Sequence, residues 1–230
     1  MVKKVAIVQS NYIPWKGYFD IINSADVFVL YDSVQYTRND WRNRNKIKTA
    51  HGLRWITIPV QNTTSKTIRD TMVVDNHWRK KHWNMLSHNY SKSKYFNEYK
   101  EILKNLYLDD SASCLSEINY GFIKVINEIL QIKTDIVWSN DFKIKGDKSE
   151  KLLQICKQLE ATEYISGPAA KDYIDMQLFE KADIKVSWVD YLDYPEYSQL
   201  HAPFEHNVSI LDLIFNEGPN AYKFMKSFKM

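Results

Sequence analysis

The stretch VAIVQSNYIPWKGYFDIINSADVFVLYD, Val5 to Asp32, decides the fold. It opens on "VAIV", a continuous apolar run of the kind parallel strands show when both faces are covered, so a central strand is expected over Lys3–Gln9. "GYFDIINSA" follows with Tyr18, Ile21 and Ile22 at helical spacing, and "DVFVLYD" is a second strand. Strand, loop, helix and strand make a βαβ unit, whose post-strand loop stands at the carboxyl edge of the sheet, where open α/β folds bind ligands. Simple turns use small residues. The Gln9–Gly17 loop instead carries Asn, Tyr, Pro, Trp and Lys, which a binding site would explain.

Outward from this unit, "RWITIPV" (54–60) reads as a third strand that Pro59 ends or confines to an edge. Residues 78–90, 95–107 and 113–130 are helical in pattern. "DIVWSND", "EYISGP" and "DIKVSWVDY" are short strands with helices between them at 149–160 and 169–180. "SILDLIFNEG" is an apolar helix with Ser209 as N-cap and Gly218 as its stop. The expected fold is α/β: one domain over residues 1–230, with a mostly parallel open sheet and a helical insertion or cap over about 77–131. No repeat or low-complexity tract interrupts it.

The chain of 230 residues is 44% hydrophobic and 26% charged, which fits an ordinary globular core and excludes disordered and fibrous classes. Seven Trp and fifteen Tyr exceed packing needs and favour sites with one apolar and one polar side. A formal charge of +3 is too small to imply nucleic acid or an anionic membrane by itself. Cys114 and Cys156 lack metal or CxxC spacing and read as two unpaired thiols of a reducing compartment. No apolar run approaches a membrane span or a secretory leader, so the expected location is cytoplasmic.

Local charge is more informative. "TRNDWRNRNKIKTAHGLR" holds six Arg and Lys against one Asp. Such a segment can bind phosphate, with an aromatic to stack on a base. It reads equally as a solvated basic hairpin, and as a third alternative its interleaved aromatics suit a single-stranded RNA groove. Asp32, at the end of the second strand, is a candidate substrate ligand or general base, or a turn carboxylate. His77, His82 and His88 lack the helical spacing of metal ligands, so no metal is expected; His82 either reaches a pocket or packs. Ser166-Gly167-Pro168 after a strand is an anion-binding helix start or ordinary helix initiation. GxSxG, GxxxxGK[ST] and GxGxxG are absent, which removes the commonest hydrolase, P-loop and dinucleotide signatures.

The N-terminal loop, "NRNKIKT", "YISGP" and "YSQLHAPFEHNVSILDLIFNEG" together resemble the WbqC-like family of bacteria from Val5 to Gly218. Its opening pattern, Gln-Pro-x-Tyr-x-Pro-Trp-x-Gly-Tyr-Phe, is met by Gln9, Tyr12, Pro14, Trp15, Gly17, Tyr18 and Phe19, with Ser10 in place of proline. The resemblance implies a role near genes for O-antigen and other surface polysaccharides, with transfer of an acyl or aminoacyl group to an amino sugar, or amide formation on it. The matching positions taken as site candidates are Gln9, Tyr12, Pro14, Trp15, Tyr18, Gln35, Arg44, Asn45, Lys46, Ser166, Gly167, Tyr173, Gln199, His201 and Asp212 for binding, and Asp32 or His82 as the group that takes a proton from the attacking amine. In that scheme Arg44 and Lys46 meet the phosphates of a nucleotide sugar, and Trp15 or Tyr18 stacks on it. The strand order is also similar to nucleotidylyltransferase-like domains, including pantothenate synthetases, although their His-x-Gly-His motif is absent. That absence argues against ATP, and the residues leave the cofactor open, with ATP and an acyl or aminoacyl donor as the candidates. An RNA- or carrier-binding module built on residues 38–54 is the rival class.

Overall fold

A computed structural model describes residues 2–61, 65–109 and 111–228. In chain order the elements are β1 (Lys4–Val8), α1 (Lys16–Asn23), β2 (Val27–Leu30), β3 (Arg44–Thr49), β4 (Gly52–Thr57), α2 (His77–Tyr90), α3 (Phe96–Leu108), α4 (Leu115–Leu130), β5 (Asp135–Trp138), α5 (Lys148–Gln158), β6 (Glu163–Ser166), α6 (Met176–Glu180), β7 (Lys185–Trp188) and α7 (Ile210–Glu217). Five strands form a parallel sheet in the order β5-β2-β1-β6-β7. The expected α/β class and parallel sheet are therefore present.

The continuous apolar runs have a direct structural reason. Ala6, Phe28, Leu30 and Ile165 face one core, shared with residues of α1, α2, α3, α4 and α7. Val5, Ile7, Val27, Val29 and Tyr164 face the other, shared with α5 and α6. Alternate residues of the central strands β1 and β2 are thus buried on opposite sides, whereas the edge strand β7 places Lys185 and Ser187 on one face. The helices between β4 and β5 contribute Trp78, Trp83, Leu103, Tyr107 and Phe122 to the first core, so they share their packing with the sheet. Among the described residues no helix is long and apolar enough to cross a membrane. Cys114 and Cys156 are both buried and unbonded to each other.

Two expected elements differ. The strand expected at 54–60 spans Gly52–Thr57 and stands outside the main sheet, paired antiparallel with β3 so that Lys46 opposes Trp55. Its residues show why: Leu53, Arg54 and Trp55 are exposed while Ile56 is buried, so it covers one face only. The helix expected at 169–180 is instead a 3-10 turn over Pro168–Asp172 followed by the short α6. Ser149 of α5 causes the break, because its hydroxyl donates to the Tyr173 carbonyl at 3.1 Å and accepts from the Asp175 amide at 3.0 Å. Asp175 then caps a new helix by accepting from the Gln177 amide at 3.0 Å. Ser209 and Gly218 bound α7 as expected: the Ser209 hydroxyl accepts from the Leu211 amide, and Gly218 has φ +52°.

Candidate functional site

The loop between β1 and α1 is held at almost every step. The Ser10 amide donates to Asp32 Oδ1 at 2.8 Å, and the Tyr12 amide donates to the Trp41 carbonyl at 3.0 Å. Ile13 takes a positive φ of 37°, which a β-branched residue adopts only when its surroundings impose it. Asn45 of β3 imposes it, donating its amide to the carbonyls of Tyr12 at 3.0 Å and Ile13 at 2.9 Å. The Pro14 carbonyl accepts from the Ile210 amide at 2.9 Å, which docks the start of α7 on the loop. Trp15 then turns its indole back over Gly17 and packs edge-on against Tyr191 and Tyr194, with centroids 5.2 and 5.4 Å away.

This frame leaves a cavity of about 250 Å³ lined by Asn11, Pro14, Trp15, Trp41, Asn45 and Asn207. Three side-chain amides and two indoles dominate its wall. It stands on the loop leaving β1, the strand on either side of which the sheet order runs in opposite directions, and such a reversal is where open α/β sheets bind ligands. Asn11 is aimed by Arg42, whose guanidinium donates to the side-chain oxygens of both Asn11 and Gln9 and lies 3.6 Å from Asp40. Burial lowers the Arg42 pKa, with Asp40 opposing that shift.

Beside the cavity, Trp41 meets Trp55 of β4 at 5.2 Å between centroids, and both rings are about 40% exposed. The Arg44 guanidinium lies 4.2 Å from the Trp55 centroid, and Lys46 Nζ lies 5.0 Å from it and 6.0 Å from that of Trp41. Among the described residues Lys46 Nζ has no hydrogen-bond or ion-pair partner, and Arg44 Nε is buried without one. The Arg44 guanidinium donates to the Asn39 carbonyl, so among the described residues Lys46 is the more open of the two cations to an anion.

Of the positions expected from sequence, Pro14, Trp15 and Asn45 line the cavity, Lys46 approaches the Trp41 ring of its wall, Arg44 lies over Trp55, and Gln9 shares Arg42 with Asn11 of the wall. Others are elsewhere. His82 is in the core among Tyr12, Trp78 and Tyr107, its Nδ1 2.9 Å from Tyr12 Oη, and burial pushes its pKa down to about 4. Tyr12 is wholly buried with Oη 2.7 Å from that of Tyr107, and buried Tyr18 donates to the Gln9 carbonyl at 3.1 Å. Asp32 is wholly buried behind the loop, accepting from the Ser10 amide and the Ser116 hydroxyl; burial raises its pKa, and these donors offset part of the rise. Neither expected proton acceptor touches the cavity, because both are packed into the frame that shapes it.

Gln35 is exposed and bridges to Thr67, and Tyr173 is exposed with Lys148 Nζ 5.3 Å from its ring centroid. Ser166 is buried at the end of β6, where its hydroxyl accepts from Tyr164 Oη at 3.2 Å. A Cβ at Gly167 would lie 3.4 Å from the Tyr191 hydroxyl, one ring away from Trp15. Asp212 and Gln199 form a buried node, with Asp212 accepting from Tyr90, Tyr197 and Gln199 at 2.9, 2.8 and 3.0 Å. His201 is half-buried in the loop preceding α7. Asn11, Trp41, Arg42 and Asn207 were not singled out by sequence reasoning. Trp41 and Arg42 lie within the basic aromatic stretch, and Asn207 lies within the stretch 197–218 that carries the family resemblance, although its place in a cavity wall is not marked there.

A model of the WbqC-like protein family matches residues 9–224. The chain belongs to the WbqC-like family. It is 46% identical over 227 residues, 98% of each chain, to Uncharacterized protein Rv1507c of Mycobacterium tuberculosis. A zinc-bound AdcAII variant of Streptococcus pneumoniae aligns over 98% of this chain and 100% of its own at 11% identity and a TM-score of 0.23, which carries no inference.

In this WbqC-like protein the opening pattern is a set of supports for one indole. Ser10, standing where the family pattern has proline, supplies an N–H to Asp32 that proline lacks, and its hydroxyl accepts from Asn119 at 3.0 Å. Gly17 is glycine because a Cβ there would lie 2.3 Å from the Trp15 ring. Gly17→Ala is therefore expected to cost about 1–3 kcal/mol of stability through overpacking and to displace the indole from the cavity wall. A variant with unchanged denaturant midpoint and unchanged ligand affinity would contradict this packing argument.

Proposed function

We propose that this protein is an enzyme that binds a nucleotide-linked amino sugar and transfers an acyl or aminoacyl group to its amine, or forms an amide there. The observation that carries the reading is the amide- and indole-lined cavity whose Trp41 has Lys46 Nζ, unpaired among the described residues, 6.0 Å from its ring centroid, with Arg44 over the adjoining Trp55. Side-chain amides can donate to and accept from sugar hydroxyls, and indoles present apolar surface to the C–H face of a sugar ring. A volume of about 250 Å³ suits a single sugar, being just below the usual range for drug-sized ligands. The phosphates then emerge toward Arg44 and Lys46. The lining holds no carboxylate or imidazole, so it supports sugar binding more directly than proton transfer, and Asp32 acts in this scheme by holding the Ser10 end of the loop.

Arg44→Ala is expected to weaken binding of an amino-sugar nucleotide about tenfold, the loss of roughly one charge-assisted hydrogen bond. Affinity for the free amino sugar should stay within twofold of the parent. Titration calorimetry with both ligands decides it, and equal losses would remove Arg44 as the phosphate ligand. The rival reading, RNA held on the exposed Trp41 and Trp55 with their cations, predicts a steep fall of affinity with salt because many phosphates are contacted. Binding through two cations predicts a shallow one. A steep slope with RNA, and no sugar nucleotide shifting the melting temperature, would favour the rival.

A further inference from the structure

We infer that the β3–β4 hairpin is a nucleobase subsite, with Trp41 and Trp55 as the stacking platform and Arg44 and Lys46 as the clamp for the adjoining diphosphate. This deepens the reading just proposed and rests on it for the sugar. Tyr18, 3% exposed, cannot stack on a ligand, and Trp15, braced edge-on by Tyr191 and Tyr194 above Gly17, faces the cavity where the sugar is placed, so the base needs another platform. Trp41 and Trp55 are instead 40% and 41% exposed, and they touch each other. Two large exposed indoles in contact are unusual on a monomer surface without a ligand or partner.

Their position carries the assignment. Trp41 belongs both to the cavity wall and to the indole pair, so a ligand leaving the cavity passes directly onto the platform. At the platform itself, Lys46 Nζ, unpaired among the described residues, lies over both rings, and the Arg44 guanidinium, which donates to the Asn39 carbonyl, lies over Trp55. Sugar-binding amides thus adjoin, through Trp41, an indole pair that carries two cations beside it, the groups that a sugar, a diphosphate and a base require. The pair is rigid. The backbone carbonyl of Trp41 accepts from Tyr12, its amide donates to Asp40 Oδ1 at 2.7 Å, and Trp55 is fixed opposite Lys46 by the hairpin register. Stacking on indole is tolerant of which base is bound, so the platform supplies affinity for a base and leaves discrimination between bases to other contacts.

Titration calorimetry on the full chain with uridine diphosphate, adenosine diphosphate, pyrophosphate and an amino-sugar 1-phosphate tests the subsite. Both nucleoside diphosphates are expected to bind at least about tenfold more tightly than pyrophosphate. Trp55→Leu, which leaves every cavity residue in place, should abolish that preference while pyrophosphate binding stays within about twofold; Trp55→Phe should restore part of it. Pyrophosphate binding as tightly as the nucleotides, or Trp55→Leu lowering both in proportion, would overturn the subsite. The sugar phosphate reports separately on the cavity: if it fails to bind while the nucleotides show the Trp55-dependent preference, the sugar reading fails and the base subsite stands.

Discussion

Asp212→Ala is expected to remove about 4 kcal/mol of folding stability, within the range for breaking a buried polar network by deleting one member. Asp212 is 1% exposed and accepts from Tyr90 at 2.9 Å, Tyr197 at 2.8 Å and Gln199 at 3.0 Å. Its loss strands those donors in a space water cannot readily fill, and each stranded donor costs roughly 1–3 kcal/mol. Asp212→Asn keeps one acceptor oxygen and should lose roughly half as much. The effect reaches the cavity as well. Asp212 lies on α7, whose first amide docks on Pro14, and the segment just before α7 carries Asn207 of the wall. Chemical denaturation of the two variants checks the first claim. A loss below about 1 kcal/mol for alanine would show that water or repacking satisfies the donors.

The second large effect is on pH dependence. His82 is 2% exposed, and burial pushes its pKa from 6.5 to about 4. The folded protein therefore holds a neutral imidazole where the unfolded chain takes up a proton. The stability it confers is complete above about pH 6.5 and is lost as pH falls toward about 4. Between about pH 7 and pH 4.5 that amounts to about 2.5 kcal/mol. Asp32 and Asp212 act in the opposite sense, because burial raises their pKa values; the fold takes up their protons first, and stability rises as pH falls through their folded pKa. His82→Gln isolates the histidine, since it leaves both carboxylates in place. Denaturant midpoints at the two pH values should show the parent losing about 2.5 kcal/mol more than the variant. Parallel losses in both proteins would mean that His82 does not titrate as its burial requires.

That histidine also shows where sequence reasoning stopped. A His between Trp78 and Trp83 on a helix can face a pocket or a core, and only the packing of Tyr12, Trp78 and Tyr107 around it decides. The same holds for Tyr12 and Tyr18. Their place in the loop pattern was legible, but whether a hydroxyl meets a ligand or a partner inside depends on residues far away in the chain. Tyr12 finds Tyr107 and Tyr18 finds the Gln9 carbonyl, so both are supports of the loop. The basic stretch was legible as a charged, aromatic segment. Its conversion into β3 with paired indoles needed the register that sets Lys46 against Trp55.

The sequence by itself determined the α/β class, the βαβ unit, the loop at the carboxyl edge and the ends of α7. These follow from short-range causes: apolar runs, helical spacing, a serine cap and a glycine stop act within a few residues. The parallel order β5-β2-β1-β6-β7, the hairpin standing apart from it, and the meeting of Asn11, Asn45 and Asn207 in one cavity were decided only by the tertiary structure. Those three amides come from the β1 loop, β3 and the segment before α7, and no local pattern encodes their meeting. Burial of the strand faces and satisfaction of the loop's backbone groups select it, because both are long-range requirements that the chain meets only when folded.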